Sequence, residues 1–165
     1  MKKLVIDLRD NGGGDLDAVS EIIDSIVPKG LIMYSMDKYG TRDELKSDSK
    51  EMNIPMAVLV NGNSASASEL MTGALRDYKK AVIVGEKTVG KGVMQRVYPF
   101  SDGSGMTVTI AKYYTPSGVC VHDEGITPDI VVEPAENLKN YPVSSIDKDE
   151  DIQLRTAVDY LNSEN

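Results

Sequence analysis

The sequence predicts an α/β domain: a mostly parallel sheet built from βαβ units with flanking helices, plus an antiparallel β-hairpin. Three observations carry this. Short apolar runs at residues 4–8, 56–60 and 81–85 alternate with stretches whose apolar residues recur at helical spacing. Each run empties into a loop rich in glycine or small polar residues. Farther on, residues 93–100 and 106–114 alternate apolar with polar around Ser101-Asp-Gly-Ser-Gly105, the pattern of a hairpin.

The elements follow in order. Residues 4–8 read as a buried strand, and Arg9-Asp-Asn-Gly-Gly-Gly-Asp15 as the loop after it. The glycines of that loop suit either a plain turn or close approach of backbone to a ligand. Asp15 or Asp17 caps a helix reaching about Val27, with Leu16, Val19, Ile22, Ile23 and Ile26 on one face and Pro28 as its stop. Residues 30–36 form the next strand, and the polar stretch 37–53 an exposed loop or short hairpin. Residues 54–61 are a strand with Pro55 confined to its start. The next helix places Ala67, Leu70, Met71, Ala74, Leu75 and Tyr78 on one face, with Arg76, Asp77 and Lys79 on the other. Residues 119–132 hold further strand pieces. The division expected is a core at residues 1–134, an acidic linker at 135–150 and a C-terminal helix at 151–165.

Composition narrows the function. With 165 residues the chain can bury one real core, and its net charge of −8 argues against nucleic acid or an anionic membrane as partner. No apolar run approaches the ~20 residues of a membrane span. Cys120 is the only cysteine and His122 the only histidine, so an intramolecular disulfide is impossible and a His/Cys zinc site is excluded. Met1 leads straight into a strand, without the shape of a signal peptide, and the natural protein is expected to continue upstream.

Three features sit in loops that follow strands: Gly12-Gly13-Gly14, Ser66 and Lys91. In an open α/β sheet such loops share the carboxyl edge. A serine at a strand-to-helix turn can expose its hydroxyl where backbone N–H groups point outward, which suits a nucleophile that generates an oxyanion. A lysine made neutral by burial can deprotonate it. The local pattern Ser66-Ala-Ser-Glu69 is equally a capping box, and taken alone it reads as one.

Two rivals fail on their residues. Gly85-Glu-Lys-Thr-Val-Gly-Lys91 fits seven positions of a phosphate-binding loop, but the eighth is Gly92, which has no hydroxyl for Mg²⁺. The residues after it alternate like a strand, where a helix is required. A Ser-His-Asp triad would need His122, which lies in a polar turn beside Asp123 and Glu124. Among the acids, Asp10, Asp15 and Asp17 line one loop but make no marked pair.

Five blocks, in order from about residue 3 to 134, resemble the catalytic domain of the C-terminal processing (tail-specific) serine proteases. They are Leu4-Val-Ile-Asp-Leu-Arg-Asp-Asn-Gly-Gly-Gly14; Val60-Asn-Gly-Asn-Ser-Ala-Ser-Ala-Ser-Glu69 with Gly73, Ala74 and Asp77; Val84-Gly-Glu-Lys-Thr-Val-Gly-Lys-Gly-Val-Met-Gln95; Tyr113-Tyr-Thr-Pro-Ser-Gly118; and Gly125-Ile-Thr-Pro-Asp129. The resemblance implies a ClpP/crotonase-like core and a serine endopeptidase that cuts polypeptides near their C-termini. It makes Ser66 the nucleophile, Lys91 the general base and Gln95 the residue that orients the base. The amide of Ala67 and one from the Gly13-Gly14 pair would form the oxyanion hole. No metal or organic cofactor is implied, and the family's usual setting is outside the cytoplasm, in the cell envelope.

The chain departs from the family in places. Gly12 stands where proline is common, and Val89 where an aromatic is usual. On a straight strand the Cα of Gln95 lies about 13 Å from that of Lys91, at ~3.3 Å per residue. Asp77 matches a position sometimes given a role, but lies roughly 16 Å along the helix from Ser66 at ~1.5 Å per residue, so it reads as structural. The PDZ domain and the earlier part of the core, expected before residue 3, have no counterpart here, so the chain reads as an N-terminally truncated piece. A catalytically silent peptide-binding or scaffold fragment is therefore the alternative function.

Overall fold

The chain runs β1 (Leu4–Asp7), α1 (Leu16–Asp24), β2 (Gly30–Asp37), β3 (Arg42–Ser47), β4 (Met56–Val60), α2 (Ala67–Asp77), β5 (Ala81–Gly85), β6 (Val93–Pro99), β7 (Gly105–Tyr114), β8 (Ile130–Val131) and α3 (Ile152–Ser163), with 3₁₀ turns at Glu136–Leu138 and Val143–Ser145. The computed structural model describes residues 1–48 and 50–163. β4 is apolar and buried at all five positions, so both of its faces must be covered. It lies inside an all-parallel sheet of order β1-β4-β5-β8. On one face Val58, Val60 and Ile83 pack with residues of α1 and α2, among them Ile23, Leu70 and Leu75. On the other, Ala57, Leu59 and Val84 meet Ala157 and Leu161 of α3.

The antiparallel part is larger than one hairpin. β2 and β3 join the β6–β7 hairpin in a second four-stranded sheet of order β3-β2-β7-β6. The hairpin alternative for residues 37–53 is the one that forms. β2 buries Ile32, Met33 and Ser35 but leaves Tyr34 half-covered, stacked on Tyr114 at 4.7 Å. A strand with one wet face suits an antiparallel sheet, whereas β4, buried throughout, and β5, buried at all but Val82, suit a parallel one. The strand pieces expected over residues 119–132 reduce to β8 and a bridge between Tyr114 and Cys120. The intervening amides go elsewhere: Asp123 N–H to Gly90 O and Ile126 N–H to Thr88 Oγ1.

α1 stops three residues short of Val27, and its last turn tightens, Ile26 N–H reaching Ile23 O three residues back. α2 is not amphipathic in effect. Wedged between the two sheets, it buries every residue from Ser68 to Leu75, including Glu69 and Thr72.

An ion cluster fastens α3 to the first strand. Arg9 pairs with Asp7 and Asp151, each at 2.7 Å. Burial opposes the charge on Arg9, but hydrogen bonds to Asp7 and Asp151 outweigh it and leave its pKa raised. At Asp151 burial likewise works against the charge, and the Arg9 contacts overcome it, leaving the pKa lowered. A depressed carboxylate contributes stability that is full above its unfolded value of ~3.9 and is lost as pH falls through the folded value. The thermal midpoint is therefore expected to drop as pH is taken from 5 towards 3. Asp151→Asn should start lower at neutral pH and show a shallower acid drop; parallel acid profiles for the two proteins would contradict the assignment.

Candidate active site

β1, β4 and β5 run parallel and in register, Asp7 beside Leu59 and Val60 beside Gly85. Their carboxyl ends therefore deliver three loops to one edge: residues 8–15, 61–66 and 86–92. Asn11 lashes the first loop to the second. Its Oδ1 accepts from Gly13 N–H at 2.9 Å, and its backbone carbonyl accepts from Ala65 N–H at 3.1 Å and Ser68 Oγ–H at 3.0 Å. Gly13 has φ 97, and a Cβ there would sit 2.7 Å from Ala65 O and 2.8 Å from Ala67 N. No other residue fits both the backbone and the space.

The three serines of the second loop separate cleanly. Ser64 is fully buried, donating to Leu8 O at 2.7 Å and accepting from Asn61 N–H at 3.0 Å. Ser68 is buried against Asn11. Ser66 is half-buried at the mouth of a cleft of about 400 Å³, and its backbone is held at φ 58, ψ −118. That conformation is costly for any side chain and is characteristic of functional turns. The N–H groups of Gly14 and Ala67 have no hydrogen-bond partner among the described residues. Both residues line the same cleft. Gly13 N–H, by contrast, is committed to Asn11.

Lys91 and Gln95 line this cleft too. A register shift between Met94 and Gln95 leaves Ile110 of β7 as an extra residue, and such a bulge bends the hairpin. Gln95 lines the same cleft as Lys91, and no hydrogen bond joins the two side chains. Gly92 makes the turn before β6, pressed against the backbone of His122 so closely that a Cβ would strike the His122 amide nitrogen. Lys91 is exposed, and its ammonium has neither a hydrogen bond nor an ion pair among the described residues. No hydrogen bond joins it to Ser66 Oγ.

Two residues stitch the Ser66 turn to the Lys91 loop, and local sequence patterns identify neither as a bridge. Glu69 is fully buried. Its Oε2 accepts from Ser66 N–H at 2.9 Å and Lys91 N–H at 2.8 Å; its Oε1 accepts from Gly90 N–H at 2.7 Å and Thr88 Oγ–H at 2.6 Å. The first of these bonds is the expected capping contact, while the other three reach 19 to 22 residues along the chain. Tyr113 Oη lies 2.8 Å from Ser66 O and 3.2 Å from Lys91 O, so its hydrogen is shared between those two carbonyls. Burial, reinforced by the Glu69 charge, pushes the tyrosine pKa far up and keeps it a donor.

The discarded readings have no place in this geometry. The segment after Gly85-Lys91 enters β6 rather than a helix. His122 approaches Asp123 at 3.6 Å, outside the cleft, and Asp77 accepts from Ser117 N–H at 2.9 Å at the far end of α2.

Comparison with known proteins places this arrangement. Residues 1–132 match the model of peptidase family S41. A carboxyl-terminal-processing protease of Synechocystis sp. is 40% identical over 158 residues, covering 95% of this chain and 36% of that protein. A chloroplastic C-terminal processing peptidase of Tetradesmus obliquus is 43% identical over 133 residues, covering 79% of this chain and 29% of that protein. The solved photosystem II D1 C-terminal processing protease superposes with a TM-score of 0.74 at 42% identity, over 81% of this chain and 35% of that one. The chain spans about a third of the length of the relatives it matches. Match, identity and superposition agree, and the chain belongs to peptidase family S41.

Proposed function

We propose that this chain carries the nucleophile, base and oxyanion hole of a serine endopeptidase that cuts polypeptides near their C-termini. The observation that carries the reading is Ser66 itself, held at φ 58 in a cleft that it shares with Lys91 and with two residues, Gly14 and Ala67, whose amides are unpartnered among the described residues. Ser66 Oγ attacks the scissile carbonyl carbon and its proton passes to neutral Lys91 Nζ. The amides of Gly14 and Ala67 hold the oxyanion. The C–N bond then breaks, Lys91 returns the proton to the leaving amine, and the acyl group stays on Ser66 as an ester. Water attacks the ester with Lys91 again taking a proton, and Ser66 recovers its own on release of the acid. Gln95 orients the ammonium. A substrate lying in the cleft covers Lys91 and strips water from it, which favours the neutral form the base requires.

The second reading is peptide binding without cleavage, and the exposure of Lys91 and its lack of a bond to Ser66 favour it. Rapid acid quench with an unstructured peptide, followed by intact-mass measurement of the full-length protein, separates the two. The expected result is peptide products and a transient acyl adduct mapping to Ser66. Retained peptide with neither product nor adduct would establish the binding module instead. Among the described residues no helix is long and apolar enough to cross a membrane. Placement in the cell envelope rests on the family resemblance.

A further inference from the structure

We propose that Asp151 is a positioning residue for the oxyanion loop and acts on it through Arg9. The proposal rests on the reading of Gly14 and Ser66 given above. Arg9 lies two residues before Asn11 and is buried, 7% exposed. All five of its guanidinium hydrogens are engaged. Nε and Nη2 donate to the two oxygens of Asp7 at 3.0 and 2.7 Å; Nη1 and Nη2 donate to the two oxygens of Asp151 at 2.9 and 2.7 Å; and Nη1 also donates to Gln153 Oε1 at 3.0 Å. A planar fork with every donor used is fixed in both place and orientation. Asp7 belongs to the same strand as the loop and cannot hold it from outside. Asp151 and Gln153 can, because they stand at the start of α3, packed on the opposite face of the parallel sheet.

The next residue is held both by the loop after β4 and by the C-terminal segment. Asp10, at φ 57, accepts from Asn61 and Asn63 side-chain amides at 2.9 Å each and from Val143 N–H at 3.1 Å. Residues 9 and 10 are thus tied to the C-terminal segment, and residue 11 to the Ser66 turn. Gly12 and Gly14 have open space where a side chain would lie. The direction of Gly14 N–H is set from both ends: on one side by Asp15, which caps α1, and on the other by Gly13, pressed on the Ser66 turn, and the anchors at residues 9 to 11 that carry it. Arg9 couples that direction to a residue 142 positions away, beyond the segment matched by the family model.

Asp151→Asn tests this selectively. Asp151 Oδ1 also accepts from Leu154 N–H at 3.0 Å at the start of α3, and asparagine caps a helix about as well as aspartate. The variant therefore keeps the cap while removing the charge and turning an N–H₂ towards Arg9. In the full-length protein, kcat for a peptide is expected to fall about tenfold, because misaligned donors lose transition-state contact. KM should stay within about twofold, since ground-state binding is not the target. Amide hydrogen exchange should rise in residues 9–14 beyond the general rise that the lower stability brings, while α3 loses no more protection than the parallel sheet. Gln153→Met, which removes one of the five bonds to Arg9 together with the Gln153 Nε2–H bond to Val132 O and leaves the charges in place, should give a smaller fall in kcat of the same kind. In Arg9→Lys combined with Asp151→Asn, the losses should be less than additive. An unchanged kcat in Asp151→Asn overturns the proposal, as does a fall accompanied by greater loss of protection in α3 than in residues 9–14 or by strictly additive losses. If the unaltered protein does not cleave, the reading of Ser66 fails, and exchange at residues 9–14 alone decides whether Asp151 holds the loop.

Discussion

Peptide cleavage is expected to disappear in Ser66→Ala, with kcat down by roughly 10⁴–10⁶-fold, as when a covalent nucleophile is removed elsewhere. Lys91→Arg should cost about 10²–10⁴-fold, the range of a lost general base, because arginine stays protonated at any working pH. The two losses should not add, since base and nucleophile act in one step. The thermal midpoint should barely move in either variant. Ser66 is half-buried, Lys91 is exposed, and neither side chain packs in the core. Steady-state kinetics on the full-length protein provide the check. A Ser66→Ala protein that keeps a tenth of the activity would remove this serine from the chemistry, and an active Lys91→Arg would remove the lysine.

Glu69→Gln is expected to damage stability. Both carboxylate oxygens are occupied, each by two donors. A glutamine of the same shape offers one oxygen and one N–H₂: turned towards Ser66 and Lys91, the N–H₂ leaves two partly buried amides without an acceptor, and turned the other way it leaves Gly90 N–H without one, because the Thr88 hydroxyl can rotate and accept. Leaving a buried donor unpaired costs about 1–3 kcal/mol, and the glutamine settles in the orientation that strands one, so the loss should be about 1–3 kcal/mol, a large share of the ~5–15 kcal/mol available to a domain. If the amide group instead faces Ser66 and Lys91, their backbones part and cleavage falls as well. Denaturant unfolding of the variant measures the first effect and kcat the second. A loss below about 0.5 kcal/mol would show that water or local shifts replace the missing acceptor.

The sequence shows where the loops gather but not what ties them. Fully apolar runs such as Met56–Val60 announce buried parallel strands, and their order with helices gives the βαβ frame. The glycine loop, Ser66 and Lys91 are visible because each follows such a strand. The partner of β2 is not visible, since a strand's own residues show how wet its faces are and not which sheet it joins. Glu69 hides behind a local explanation. Its position three after Ser66 accounts for one bond of four, and nothing in the helix signals the loop at Thr88–Lys91. Arg9 and Asp151 are silent for the same reason, as charged residues read as solvated until the fold closes 142 positions between them. Tyr113 alternates correctly on its strand, which says that it points inwards but not that its hydroxyl spans Ser66 and Lys91.

The backbone angle of Ser66 sets a limit on what can be improved in this protein. A positive φ at a non-glycine residue stores about 1–3 kcal/mol of strain, and glycine is the residue that relieves it. Any procedure that ranks substitutions by folding free energy alone will favour glycine at position 66 and erase the hydroxyl in doing so. Stability and chemistry make opposite demands at this one position. A thermally hardened version of the chain must therefore gain its stability elsewhere and hold residue 66 outside the search.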